Sequence, residues 1–289
     1  MDSPSIGQRL RALLILGRAS NLPTVWTNCM AAWLIEGGGE LRGLGILCLG
    51  ASLLYLAGMY LNDAFDIEFD KRYRPERPIP SGLIPPALVW GLGAIWMIGG
   101  LIVMIGISRA DSLLCLCLVA SILLYNWLHK GFAHAPILMA MCRLFLFLAV
   151  ASSVDDSVSG RSVWSAVMLA AYVVGLSYVA RQESLGTPLQ FWPCLLLGAP
   201  IIYAYFLNGS LYRVEGILFS LIVLVWTIWS LRFSFWTGRR EVGKTVSGLL
   251  AGIVLVDLLA ILGQPLVFGL TMGGLFVLAL LFQRYIPAT

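Results

Sequence analysis

Charge is what this sequence has least of. Of its 289 residues only 12% are Asp, Glu, Lys or Arg, while 59% are hydrophobic. Soluble domains carry about a quarter charged residues. No core of a soluble protein hides this much apolar surface, so the bilayer must act as the solvent and the chain reads as an integral membrane protein. Histidine is scarcer still, with two residues, His129 and His134. No other ligand is spaced to make either a metal site, and both read as interfacial polar residues. The first residues, MDSPSIGQRLRALLILGRAS, lack the long apolar region and small-residue cleavage site of a secretory signal. They read as a short basic helix along the cytoplasmic face, with Arg9, Arg11 and Arg18 toward lipid headgroups. The six cysteines each lie inside an apolar run. They read as small hydrophobes in helix cores, since Cys115 and Cys117 do not share a helical face.

What the sequence has in abundance is long apolar runs, and a spanning helix needs about 17 to 25 such residues. They fall near 21–37, 43–62, 85–107, 111–129, 134–152, 162–180, 189–207, 214–233 and 245–263. A last run, 266–283, is either a tenth helix or a continuation of the ninth, bent at Gly263-Gln264-Pro265. The connections are short, so the expectation is one domain over 1–289, an all-α polytopic transmembrane bundle of nine or ten spans. With the N-terminus inside, the even-numbered connections collect Lys71, Arg72, Arg74, Arg77, Lys130, Arg181, Arg232, Arg239, Arg240 and Lys244. The odd ones hold Arg42, Arg109, Arg161 and Arg213 among several acids. That asymmetry predicts a cytoplasmic N-terminus in a multi-pass protein of the cell membrane. The net charge of +4 is thereby a topology signal, and no nucleic-acid partner is expected.

One stretch breaks the apolar pattern. NDAFDIEFDKRYRPERPIPSG, residues 62–82, closes the second run on the expected cytoplasmic side. If the helix continues past the membrane, Asn62, Asp66 and Asp70 share one face at i, i+4 and i+8, each roughly 6 Å further along. Asp63 neighbours them across the turn. Carboxylates so gathered repel unless a cation sits among them, and Mg2+ suits that place because it bridges one or two carboxylates to substrate phosphates. The plainer alternative is a solvated acidic helix end paired with Lys71, Arg72 and Arg74. Prolines shape the loop that follows, and its arginines can hold phosphate oxygens. Acids for metal and bases for phosphate, at the mouth of an apolar bundle, describe a site for a lipid diphosphate.

Asn62-Asp63-x-x-Asp66-x-x-x-Asp70 resembles the first aspartate-rich motif of the UbiA superfamily of membrane prenyltransferases, and Arg77-Pro78-Ile79-Pro80-Ser81-Gly82 resembles the loop after it. Arg18-Ala19-Ser20-Asn21-Leu22-Pro23 is similar to the entry of that family's first helix, and Tyr125 to Lys130 to the end of its fourth. The resemblance implies a helical bundle around a central cavity open to lipid. It implies a polyprenyl diphosphate donor bound through Mg2+, an allylic carbocation, and attack by an aromatic or other acceptor. Asp63, Asp66 and Asp70 are then the metal ligands. Asn21, Asn62, Arg74, Arg77, Asn126, Lys130, Arg143 and Tyr178 are the substrate-binding candidates. Tyr60, Phe65, Trp127, Tyr172 and Tyr178 are rings able to stabilise a cation, though core packing is the more common role of such residues.

The family's second aspartate-rich motif is altered. Its place reads Ser177-Tyr178-Val179-Ala180-Arg181-Gln182-Glu183, with one acid. Either Arg181 replaces a metal's charge and binds the leaving group, with Glu183 the remaining ligand, or ionisation has been lost and the cavity binds or moves an isoprenoid. The altered motif resembles the UbiA-like branch of the bacterial Ebo gene cluster. Arg143 and Asp257 lie within spans, where charge is costly and faces a cavity or a partner. They either pair and fix packing, or serve substrate, Arg143 toward the diphosphate and Asp257 toward an acceptor. An ion-coupled transporter leaves the acidic stretch unexplained.

Overall fold

The computed structural model describes residues 5–155, 157–184, 190–207, 213–236 and 241–288, with backbone alone at 182–184 and 207. Every described element is helical. α1, Ile6–Leu16, starts at a capping box in which Ser5 accepts from the Gln8 amide and Gln8 returns the bond. Arg18 then takes a left-handed conformation, φ 42°, and a 3-10 turn, Ala19–Asn21, leads into α2, Leu22–Ile35. This sharp corner turns the chain from α1 into the bundle.

Two long helices follow. α3 spans Leu41–Phe65 and passes almost without break into α4, Ile67–Tyr73, across Asp66, whose amide still bonds the Asn62 carbonyl at 3.1 Å. α5, Pro86–Leu101, ends in a π-helical stretch, Ile102–Ile107. Small residues bring α3 and α5 together: a Cβ at Gly93 would stand 2.9 Å from Leu61, and one at Gly100 2.7 Å from Leu54. α6, Ser112–Leu128, is capped by Asp111, which accepts from the Leu114 amide at 2.9 Å. α7 is Ala135–Ala151, α8 Gly160–Ser184, α9 Trp192–Leu197, α10 Ala199–Leu207 and α11 Arg213–Phe235. The run ending at 263 and the last run are separate helices, α12 Val242–Ala260 and α13 Leu266–Gln283. They are parted by Gly263 at φ 88° and Pro265.

Among the described residues six helices are long and apolar enough to cross a membrane: α3, α5 with its π-helical end, α8, α11, α12 and α13. Ser112–Leu128, Ala135–Ala151 and Trp192–Phe206 are apolar but shorter. α2 has 14 residues, about 21 Å of helix against a hydrocarbon core of about 30 Å. It is buried on nearly every side, packed among α3, α7, α12 and α13. That enclosure is what lets α2 carry Thr24, Thr27 and Asn28 at full burial. The outer helices do the opposite. Ile95, Ile98, Leu221, Val225, Leu270 and Val277 are exposed along α5, α11 and α13, a surface suited to lipid tails.

Candidate active site

The acidic stretch folds inward. Asn62, Asp63, Asp66 and Asp70 are exposed by only 5%, 8%, 8% and 2%. The solvated-helix-end alternative therefore describes Glu68 alone, which is exposed and pairs with Lys71 at 2.7 Å. The loop after α4 curls back on itself, with Ser81 N–H bonding the Arg77 carbonyl at 3.0 Å and Ile84 N–H the Pro78 carbonyl at 3.1 Å. Gly82, at φ 77°, supplies the reversal. Ile79 and Ile84 anchor the loop in a small core with Leu16, Tyr60, Ala64 and Val89. Anchored so, Arg77 reaches back and its Nη1 bridges Asp63 at 3.2 Å and Asp70 at 2.9 Å.

The remaining charges come from elsewhere in the chain. Arg18 lies 3.9 Å from Asp63 and donates to Asn62 Oδ1 at 3.4 Å, so it turns into the protein and not toward headgroups. Asn62 donates to Asn126 at 3.2 Å, and Asn126 to the Gly58 carbonyl at 3.1 Å. At the end of α6, Lys130 Nζ stands 2.8 Å from Asp66 and His129 Nε2 3.3 Å. Burial by itself would raise the Asp66 carboxyl, but hydrogen bonds from His129 and Lys130, with their charges, outweigh it and hold the group below its ordinary range. His129 is thus a member of the cluster and not merely interfacial. Its signal was present in the sequence, since it follows Asn126 at i+3 on the same face.

Beside this cluster opens a cavity of about 330 Å³, lined by Arg18, Asn21, Tyr55, Asn126, His129, Arg143 and Arg181 among apolar residues of α2, α3, α6, α7, α8 and α12. The three aspartates do not themselves line it. Arg18, Asn126 and His129 stand between, each bonded to the acidic side and each facing the cavity. Asn21 donates to the Ala288 carbonyl at 2.9 Å, which brings the end of the described chain to the cavity wall. Arg181 bonds the Phe132 carbonyl. Glu183 falls outside the described side chains.

Other sequence candidates lie apart. Arg74 is exposed at the end of α4. Tyr178 packs edge-on against Trp192 at 4.7 Å, away from the cavity. Tyr60 bonds the Leu13 carbonyl, Tyr172 the Leu249 carbonyl, Phe65 packs on Trp90, and Trp127 is 70% exposed. Among the described residues none of these rings lines the cavity; Tyr55 and Tyr125 do. Helical spacing tells which residues share a face, and packing of distant helices decides which face meets the lumen. Arg143 and Asp257 do not pair directly. Asn28 stands between them, accepting from Arg143 and donating to Asp257 Oδ2 at 2.6 Å.

Whether these residues fit Mg2+ can be judged from their chemistry. Among the described residues no three acidic, histidine or cysteine side chains converge on one point, so these residues form no all-protein cage. Mg2+ seldom uses one; it binds one or two carboxylates and completes its shell with water and phosphate. Asp70 Oδ1 is buried and has no hydrogen-bond partner, an oxygen available to such an ion. The donor set fits.

The UbiA prenyltransferase family profile matches residues 21–286. The digeranylgeranylglyceryl phosphate synthase of Methanopyrus kandleri is 32% identical over 126 residues, 42% of this chain and 45% of that protein. The enzyme of the same name from Methanoregula boonei is 28% identical over 147 residues, 48% and 50% of the two chains. In each alignment the chain spans half or less of the length of the curated relative. Among solved structures, a digeranylgeranylglyceryl phosphate synthase superposes with a TM-score of 0.61 at 18% identity, over 88% of this chain and 98% of that one. A UbiA homologue from Archaeoglobus fulgidus bound to GPP and Mg2+ gives 0.53 at 16% identity, over 95% and 97%. These likenesses show the fold.

Proposed function

The chain belongs to the UbiA prenyltransferase family, and on that premise we propose that it transfers a prenyl group from a polyprenyl diphosphate to an acceptor in the membrane, with Mg2+ at the diphosphate. The observation that carries this reading is the layering at the head of the cavity: buried Asp63, Asp66 and Asp70, then Arg18, Asn126 and His129, then an apolar chamber. The basic connections argue for the cytoplasmic side.

Bound Mg2+ would neutralise phosphate oxygens and so stabilise the charge of the departing pyrophosphate. Its one or two carboxylate ligands would come from Asp63, Asp66 and Asp70, of which Asp63 and Asp70 stand together about Arg77. Arg18, Lys130 and Arg181 hold the remaining phosphate oxygens, and their fixed positive charge favours the pyrophosphate as it departs. The C–O bond breaks with its electron pair on the leaving oxygen, the acceptor's nucleophile bonds the allylic carbon, and a proton is lost from the acceptor. The Leu, Ile, Val and Met walls exclude the water that would otherwise capture the cation. Because relatives are named digeranylgeranylglyceryl phosphate synthases, a geranylgeranyl donor with a glyceryl phosphate acceptor that already carries one geranylgeranyl group is the first pair to try.

A second reading, an isoprenoid carrier without chemistry, is favoured by one observation: all three carboxylates are already paired with side chains of the protein. Turnover separates the two. The protein in nanodiscs should release inorganic pyrophosphate from geranylgeranyl or farnesyl diphosphate only with Mg2+. Asp66→Ala should lower that rate by about 100-fold or more while still inserting and folding. Equal turnover in mutant and parent removes the assignment. Donor binding with no release establishes the carrier.

A further inference from the structure

Arg143 is spent differently from the other cations of the cavity. It lies on α7, eight residues beyond Ala135 and therefore about 12 Å deeper along the helix than the mouth. Its neighbours on the cavity wall are Met139 and Leu146. Three of its five N–H groups are used: Nη1 donates to the Thr24 carbonyl at 3.1 Å and to Asn28 Oδ1, and Nη2 to Thr24 Oγ1 at 2.8 Å. The two left are on Nε and Nη2; Nε has no hydrogen-bond partner and is not among the buried unpartnered atoms, and Arg143 lines the cavity. They are adjacent on one edge of a planar fork, the edge that meets an oxyanion with two parallel bonds.

The backing is built to hold that fork in place. Asp257, 1% exposed, takes Thr27 Oγ1 at 2.7 Å and Asn28 Nδ2 at 2.6 Å on one oxygen. Asn28 therefore has its amide orientation fixed by both sides. A pair meant only to join α7 and α12 would put guanidinium on carboxylate. Here an amide separates them, and the cation is pushed forward to the lumen. A hydrocarbon tail gains nothing from such a charge.

We propose that Arg143, backed by Thr24, Asn28 and Asp257, is a second oxyanion subsite inside the cavity, which receives the carboxylate or phosphate head of the acceptor. This rests on the prenyl-transfer reading above. The head binds at Arg143 and the donor's diphosphate at the mouth, so the acceptor's nucleophile lies between two anchored anions. Both ligands must occupy the cavity together.

Calorimetry on nanodisc protein tests it, using octyl phosphate, octanoate and octanol as probes. Each is titrated with Mg2+ and geranylgeranyl S-thiolodiphosphate, an unreactive donor, already bound. Octyl phosphate or octanoate should bind at least about tenfold more tightly than octanol, the preferred one of the two naming the head group. Arg143→Met should erase that preference and leave donor affinity within about twofold. Anions that bind no better than octanol, that are excluded by the donor analogue, or that bind Arg143→Met as well as wild type overturn the subsite. Should Arg143→Met fail to fold, the wild-type comparison of anion with alcohol decides alone. Failure of the donor analogue itself to bind would instead overturn the reading of the mouth.

Discussion

Arg77 holds two carboxylates that nothing else nearby fully compensates. Asp70, with a side chain only 2% exposed, has Arg77 as its one described ion-pair partner, and Asp63 otherwise has Arg18 at 3.9 Å. Removing one member of a buried pair leaves the other charge uncompensated, which costs roughly 3–5 kcal/mol. Arg77→Ala is therefore expected to lower the thermal midpoint of the protein in nanodiscs. The same variant vacates carboxylates that Mg2+ would use, so Mg2+ should raise its midpoint more than it raises that of wild type. Equal Mg2+ shifts in the two proteins would show that arginine and metal do not share these groups. The R-P-I-P-S-G loop was recognisable in the sequence, but its bridge from Asp63 to Asp70 was not, because the loop's return depends on Ile79 and Ile84 finding a core beneath α1.

Helices show a sharper division. Apolar runs gave their approximate extents, because a lipid-facing helix must be apolar along its length. The separation of α12 from α13 came down to Gly263 and Pro265, both visible in the chain. The apolar run 21–37 is longer than the helix it forms, α2 at Leu22–Ile35, since enclosure by its neighbours leaves no local trace. Close approach of elements is likewise a matter of single glycines. A Cβ at Gly175 on α8 would stand 2.6 Å from the Pro193 carbonyl oxygen of α9, and backbone cannot swing aside as a side chain can. Gly175→Ala should push α9 away and cost about 1–3 kcal/mol. Gly106→Ala, whose nearest atom lies at 4.0 Å, is the control and should be neutral. Comparable midpoints for the two would refute the tight crossing.

The whole molecule is a chamber with a charged head and a lipid-facing exterior. A ligand that fills both chamber and head binds the folded state alone, and at 100 times its Kd adds about 2.7 kcal/mol of stability. Geranylgeranyl diphosphate with Mg2+ should accordingly raise the thermal midpoint, and EDTA should remove most of that rise. Geranylgeraniol should give a small shift that EDTA leaves unchanged. A diphosphate shift indifferent to EDTA would argue that Arg18, Lys130 and Arg181 hold the head without metal.

Composition alone settled the solvent, since so little charge cannot clothe a water-facing surface. Spacing alone put Asn62, Asp66 and Asp70 on one face, because a helix repeats every 3.6 residues wherever it is. Neither says what that face meets. Arg18 from the corner before α2 and His129 from the end of α6 came between the aspartates and the cavity only through packing of segments far apart in the chain. The same holds for Asn28 between Arg143 and Asp257, three residues from three helices. Local periodicity is written in neighbouring residues, whereas the order of layers around a chamber is a property of how distant helices close upon one another.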